Sequence, residues 1–170
     1  GAHLAMLYSQ KMPETSCIPI TFNVSMAGPT ELSIIFKIPA DTIMAIQEQM
    51  QNAVVHPNKK DIDALVYFCT GRNNLPLSFY TADSIAGALL EASPTYWTNP
   101  NSKPTIFAYG KEDKLVQPQH VNTITARYDS LQLPYDLILY PNSGHFLAND
   151  PDCATLLSEK IQDYANVYLK

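Results

Sequence analysis

Two apolar runs that each break into a polar turn constrain this chain most: Pro104 to Val116, reading PTIFAYGKEDKLV, and Leu137 to Phe146, reading LILYPNSGHF. Between them Val121, Ile124, Tyr128 and Leu131 step three, four and three residues apart, which is the spacing of one helical face. The order is therefore strand, helix, strand, with the second strand over Asp136 to Tyr140. Strands joined by a helix-length return lie parallel, because an antiparallel pair needs only a short hairpin, and such a crossover is right-handed. The carboxyl ends of neighbouring parallel strands lie on one side of the sheet, so both turns are delivered to the same edge. Each turn brings one ionisable side chain suited to chemistry, Asp113 in the first and His145 in the second.

The rest of the chain fits an α/β layered fold. Gly1 to Met12 has helical composition and stops before Pro13. Ile18, Ile20, Phe22 and Val24 alternate as in a strand, predicted over Ile18 to Ser25 and ending near Gly28-Pro29. From Ser33 to Ser93 the pattern is helical. Asp41 is expected to cap a helix with Ile43, Ile46, Met50 and Ala53 on one face. Asp61 is expected to cap another, with Ile62, Leu65, Val66 and Cys69 inward and Gly71 at its end. A terminal helix from Pro151 carries the stripe Cys153, Leu156, Leu157, Ile161 and Tyr164. A chain of 170 residues, nearly half of them hydrophobic, predicts one domain with a sizeable core.

Several function classes are excluded by composition. A net charge of -5 with eleven basic residues offers no footprint for nucleic acid, which is bound by clustered Lys and Arg. No apolar run approaches the length of a membrane span. Cys17, Cys69 and Cys153 are odd in number and sit in apolar patterns, where cysteine acts as a small hydrophobe, so no disulfide framework is expected. His56 and His120 have no acidic or thiol companions at ligand spacing, and neither H-E-x-x-H nor C-x-x-C occurs, so no metal site is expected. The six glycines are scattered and form no phosphate-cradling loop, and no cofactor is implied.

Three stretches, in the right order, resemble the α/β-hydrolase esterases and lipases, closest to the branch that includes small acetyl and feruloyl esterases. Lys103 to Pro118 is similar to their penultimate strand, with Gly110, two intervening residues, Asp113, then Val116 and Pro118. Tyr140-Pro141 followed by Gly144-His145 is similar to their last loop. Gly1-Ala2-His3-Leu4-Ala5 is similar to the start of the helix after the nucleophile elbow G-x-S-x-G, with Gly1 as its last glycine. The resemblance implies an α/β-hydrolase fold of which this chain is the C-terminal part, with the serine two residues upstream of Gly1 and the oxyanion hole also upstream. It further implies that Asp113 and His145 complete a Ser-His-Asp triad, that the substrate is a small ester, and that this chain alone is inactive. Ser25 does not supply an internal elbow. In VSMAG, Asn23 and Ala27 stand where the two glycines must be, and Gly28 comes one residue late.

Other roles follow from the same comparison. The stretch 33–93 reads as a lid over the site, or equally as helices that cover the sheet. Tyr96 and Trp97 are candidates for one wall of a substrate pocket, the alternative being that they pin the lid to the sheet. His3 is expected to serve packing. Glu112 competes with Asp113 as the acid, whereas Asp150 and Asp152 are expected to cap the terminal helix. The strand Ile18 to Ser25 would pair, in a longer protein, with the strand leading to the serine, so the chain alone is expected to self-associate. A prolyl oligopeptidase-type peptidase shares these turns, and a non-catalytic interaction module with the same fold is the remaining class.

The chemistry explains the residue types. A serine hydroxyl is too weak an acid to attack near neutral pH, so a neutral imidazole must take its proton. A carboxylate on the other ring nitrogen fixes the tautomer and stabilises the imidazolium. Its loss in a comparable triad costs on the order of ten-thousandfold in turnover, or roughly 5 kcal/mol.

Overall fold

The computed structural model describes residues 1–11, 19–35, 40–52, 59–73 and 75–169. They divide into two compact units, Gly1–Glu31 with Pro94–Lys170, and Leu32–Ser93.

The first unit is built on a three-stranded parallel sheet of order β1-β2-β3, with β1 Asn23–Met26, β2 Thr105–Gly110 and β3 Tyr135–Tyr140. Asn23 pairs with Thr105 and Thr105 with Tyr135, so the three strands run in step and end on the same side. All six residues of β2 are buried, which is why TIFAYG reads as an unbroken run instead of an alternating one: both its faces are covered. On one face Phe107 and Tyr109 meet Met6 of α1 (Ala2–Lys11) and Val121, Ile124 and Tyr128 of α7 (Gln119–Ser130). On the other, Ile106 and Ala108 meet Ile138 and Tyr140 of β3 and Leu157 and Tyr164 of α8 (Cys153–Tyr168). The result is helix, sheet, helix, with β2 at the centre.

The predicted stripe of α7 is buried in this core, with Leu131 packed at its margin. The stripe of α8 is narrower than expected. Leu157 and Tyr164 are buried and Cys153 and Ile161 partly so, but Leu156 is 44 % exposed. Adjacent residues of a helix point about 100° apart, so a stripe through 153, 157, 161 and 164 turns 156 outward. Strand β1 is also shorter than the alternation suggests. It begins at Asn23, whose N–H donates to Pro104 O at 2.9 Å, because its neighbour β2 begins only at Thr105. Pro19 has no amide to add to a ladder, and Ile18 and Cys17 lie outside the described residues.

The second unit is helical: α2 Leu32–Ile35, α3 Ala40–Gln51, α4 Lys59–Thr70, a 3-10 turn Leu77–Phe79 and α5 Ala82–Glu91. Its core comprises Leu32, Ile43, Ile62, Val66, Tyr80, Ile85 and Leu89 among others. Asp41 and Asp61 sit inside the first turns of α3 and α4 and are not their caps, and the Asp41 carboxylate accepts from Thr42 N at 2.9 Å. Both still place negative charge at the positive end of a helix. Gly71 ends α4 with φ 72°, its N–H donating to Tyr67 O at 2.8 Å, a conformation that glycine adopts without the Cβ penalty. Thr81 caps α5 by accepting from Ser84 N at 3.1 Å. Ala53 and the side chains of Ile46, Met50, Leu65 and Cys69 lie outside what is described.

Candidate active site

Asp113 follows β2 by three residues and is buried, with its carboxylate doing two things. One oxygen, Oδ1, accepts the amides of Leu115 at 2.8 Å and Val116 at 2.9 Å, closing the turn onto its own side chain. The other, Oδ2, lies 2.9 Å from His145 Nδ1. The carboxylate side chain is fully covered, whereas that of His145 is 31 % exposed. A carboxylate offers only lone pairs, so the ring donates from Nδ1, which leaves Nε2 as the basic nitrogen.

His145 is carried by the loop from β3 to α8, and that loop is bolted to the Asp113 turn by main chain. Lys111 N donates to Tyr140 O at 2.9 Å and Glu112 N to Ser143 O at 3.1 Å. Gly110 makes the approach possible, since a Cβ there would stand 2.1 Å from Ser143 O. Within the loop, the buried Ser143 Oγ donates to Asp150 Oδ2 at 2.6 Å and accepts the amides of Asn149 and Asp150 at 3.1 and 3.2 Å. Asp150 also accepts from Asn142, from its main-chain N at 3.1 Å and from Nδ2 at 2.9 Å. Asp150 is therefore a loop brace and not a helix cap. Burial acts to raise its pKa, but the Ser143 hydroxyl and the side chain and backbone of Asn142 outweigh it and hold the carboxyl below the usual range. Asp152 does occupy the cap position of α8, with no hydrogen bond from its side chain.

The other candidates fall elsewhere. Glu112 is exposed, and its carboxylate lies 3.7 Å from Lys114 Nζ. Trp97, in α6 (Pro94–Trp97), lies under Lys11 Nζ at 4.6 Å from its ring centre, with the Tyr96 ring 5.2 Å away. The structure brings Asp113 and His145 together, while Tyr96 and Trp97 meet edge to face within α6. Phe146 packs its ring beside that of His145, 5.5 Å between centres, and is 86 % exposed.

His3 is buried in α1. His120 is buried at the start of α7, where its Nδ1 accepts the amides of Thr30 and Glu31, each at 3.3 Å. Burial lowers its pKa, against the opposing charge of Asp113. Tyr109 donates its hydroxyl to Gly28 O, and burial pushes its pKa up to about 12. No group of acidic, His or Cys side chains among the described residues could hold a metal, and none of the described helices is long and apolar enough to cross a membrane. Cys153 is a free thiol. Sequence reasoning missed Ser143 and the true task of Asp150. The available signal was the polar pair Asn142-Ser143 ahead of His145 answered by Asn149-Asp150 behind it.

No family model matches the sequence, and no curated protein matches it. Solved structures do. The carboxylesterase Cest-2923 from Lactobacillus plantarum WCFS1 superposes with a TM-score of 0.59 at 12% identity, over 98% of this chain and 55% of that one. A truncated form of a carbohydrate esterase from gut microbiota gives 0.58 at 14%, over 96% and 54%. The dipeptidyl peptidase 4 of Porphyromonas gingivalis gives 0.60 at 10%, over 97% and 18%. The superpositions establish a shared fold, and at such identities the fold alone. The chain spans about half the length of these esterases and a smaller share of the peptidase.

Proposed function

We propose that this chain, which has the fold of the C-terminal part of the α/β-hydrolases, supplies the acid and the base of a serine hydrolase acting on a carboxylic ester. The observation that carries the reading is the 2.9 Å contact between His145 Nδ1 and a fully covered Asp113 carboxylate, at the edge where parallel strands end. His145 would take the proton of a serine and return it to the leaving alcohol, while Asp113 holds the Nδ1–H tautomer and the imidazolium. The nucleophile would lie on a segment ahead of Gly1, since no described serine stands on an elbow.

The sheet supports this placement. Asn23 donates to Pro104, just ahead of β2, and Ala27 to Ala108 within it, so in a strand the alternate residues Val24 and Met26 turn their amides to the other edge of β1, which no described strand pairs. A further strand, the one leading to the serine, would cover it, and without that strand the chain would self-associate. The unit Leu32–Ser93 would serve as a lid or cover in the whole enzyme.

The test compares the 170-residue chain with the same chain extended upstream through its nucleophile, on p-nitrophenyl acetate and on a proline-containing amide. The reading expects no His145-dependent turnover by the short chain and hydrolysis of the ester by the long one. Preference for the amide would make it a peptidase, and an upstream segment without a serine would make it an interaction module.

A further inference from the structure

We infer that Asp150 and Ser143 are positioning residues for His145, and that their hydrogen bond keeps its ring in register with Asp113. The loop from Asn142 to Asp150 is nearly a closed ring of polar contacts around one buried hydroxyl. Ser143 Oγ makes three bonds at once: it donates to Asp150 Oδ2 and accepts the Asn149 and Asp150 amides. Asp150 returns to the front of the loop by accepting twice from Asn142, and Asn149 Nδ2 donates to Asn142 O at 3.1 Å. His145 stands between these two ends, and its ring contacts neither. The carbonyl of the same Ser143 accepts Glu112 N, one residue before Asp113. One serine therefore joins the brace to the main chain of the acid's turn.

The consequence is geometric. The bond between His145 and Asp113 is short only while the loop and the turn keep their spacing. Rotation of Ser143 would release the loop's far end and disturb the carbonyl that meets Glu112. Asp150→Asn keeps the size of the brace but removes one acceptor oxygen and sets an amide against the Asn142 donors. Ser143→Ala leaves two loop amides and one carboxylate oxygen without their central partner. In either variant His145 should spend time out of register with Asp113, and the Nδ1–H tautomer should lose its preference.

The ring nitrogens of His145 report this directly by long-range 15N NMR on the 170-residue chain, and the reading does not need activity. The wild-type chain should show the Nδ1–H tautomer with a deshielded proton shared with Asp113. Asp150→Asn and Ser143→Ala should shift the ring toward the Nε2–H tautomer and broaden or remove that proton signal. Asn142→Ala, at an exposed position, should do so to a smaller extent and serves if the other two do not fold. Asp129→Asn, on the far side of α7, should change nothing at the ring. Variants that melt earlier yet keep the wild-type ring signals would overturn the inference, because a merely structural brace would behave so. The inference rests on the proposed function only for its meaning in catalysis. An extended chain inactive towards esters, with the ring shift present, would sink the function and leave the brace standing, and activity lost on His145→Ala with no ring shift would do the reverse.

Discussion

The Asp113 turn and the His145 loop end neighbouring strands and share one side-chain hydrogen bond, but they are held in opposite ways. In the turn, the side chain that would do the chemistry also closes the backbone, since one Asp113 oxygen binds the Leu115 and Val116 amides while the other faces His145. In the loop the two tasks are divided. Ser143, Asn142, Asn149 and Asp150 hold the backbone, and the His145 ring takes no part in holding it. An acid can be buried among amides because amides stabilise its charge. A base that must accept a proton needs an open side, and an open side chain cannot also be the keystone of its loop.

That contrast predicts how each element breaks. The largest loss should come from Gly110→Ala, where the new Cβ meets main-chain oxygens of both Ser143 and Gly144 and nothing flexible can give way. A cost of about 3 kcal/mol or more in unfolding free energy is expected by chemical denaturation, the upper end of overpacking effects. Asp113→Ala should cost about 2 kcal/mol, because two amides lose a charged acceptor. His145→Ala should cost less, about 1 kcal/mol, because the buried carboxylate loses one partner but keeps the Leu115 and Val116 amides. Equal losses for Asp113→Ala and His145→Ala would erase the contrast.

A smaller effect concerns pH. The folded-state pKa of Asp150 lies below its ordinary value of 3.8, so its contribution is fully present above that value and is lost as pH falls through the folded one. Thermal melts at decreasing pH should show Asp150→Asn with a shallower acid limb than the wild type. Parallel limbs would mean that the carboxylate does not brace the loop.

The two strands, the helix between them and the meeting of Asp113 with His145 were legible in the sequence, because two apolar runs separated by a helical period of 3.6 leave few alternatives once the strands must be parallel. The length of β1 was not, since it depends on where β2 starts, and no property of Ile18 to Phe22 encodes that. Leu156 read as core because neighbouring apolar residues on a helix cannot be ranked without knowing the axis of the stripe. Asp150 was misread for a deeper reason: capping a helix and closing a loop use the same acceptor chemistry at nearly the same place.

The central claim is that the buried acid and the open base form one catalytic pair. Its most direct measurement is turnover of p-nitrophenyl acetate by the upstream-extended chain, compared with the same protein bearing Asp113→Asn or His145→Ala. The account predicts that each substitution lowers kcat on the order of ten-thousandfold, roughly 5 kcal/mol of barrier, and that the double variant loses little more, because the pair acts as a unit. Activity that survives either substitution within about tenfold would show that the 2.9 Å contact belongs to the architecture of the sheet edge and not to the reaction.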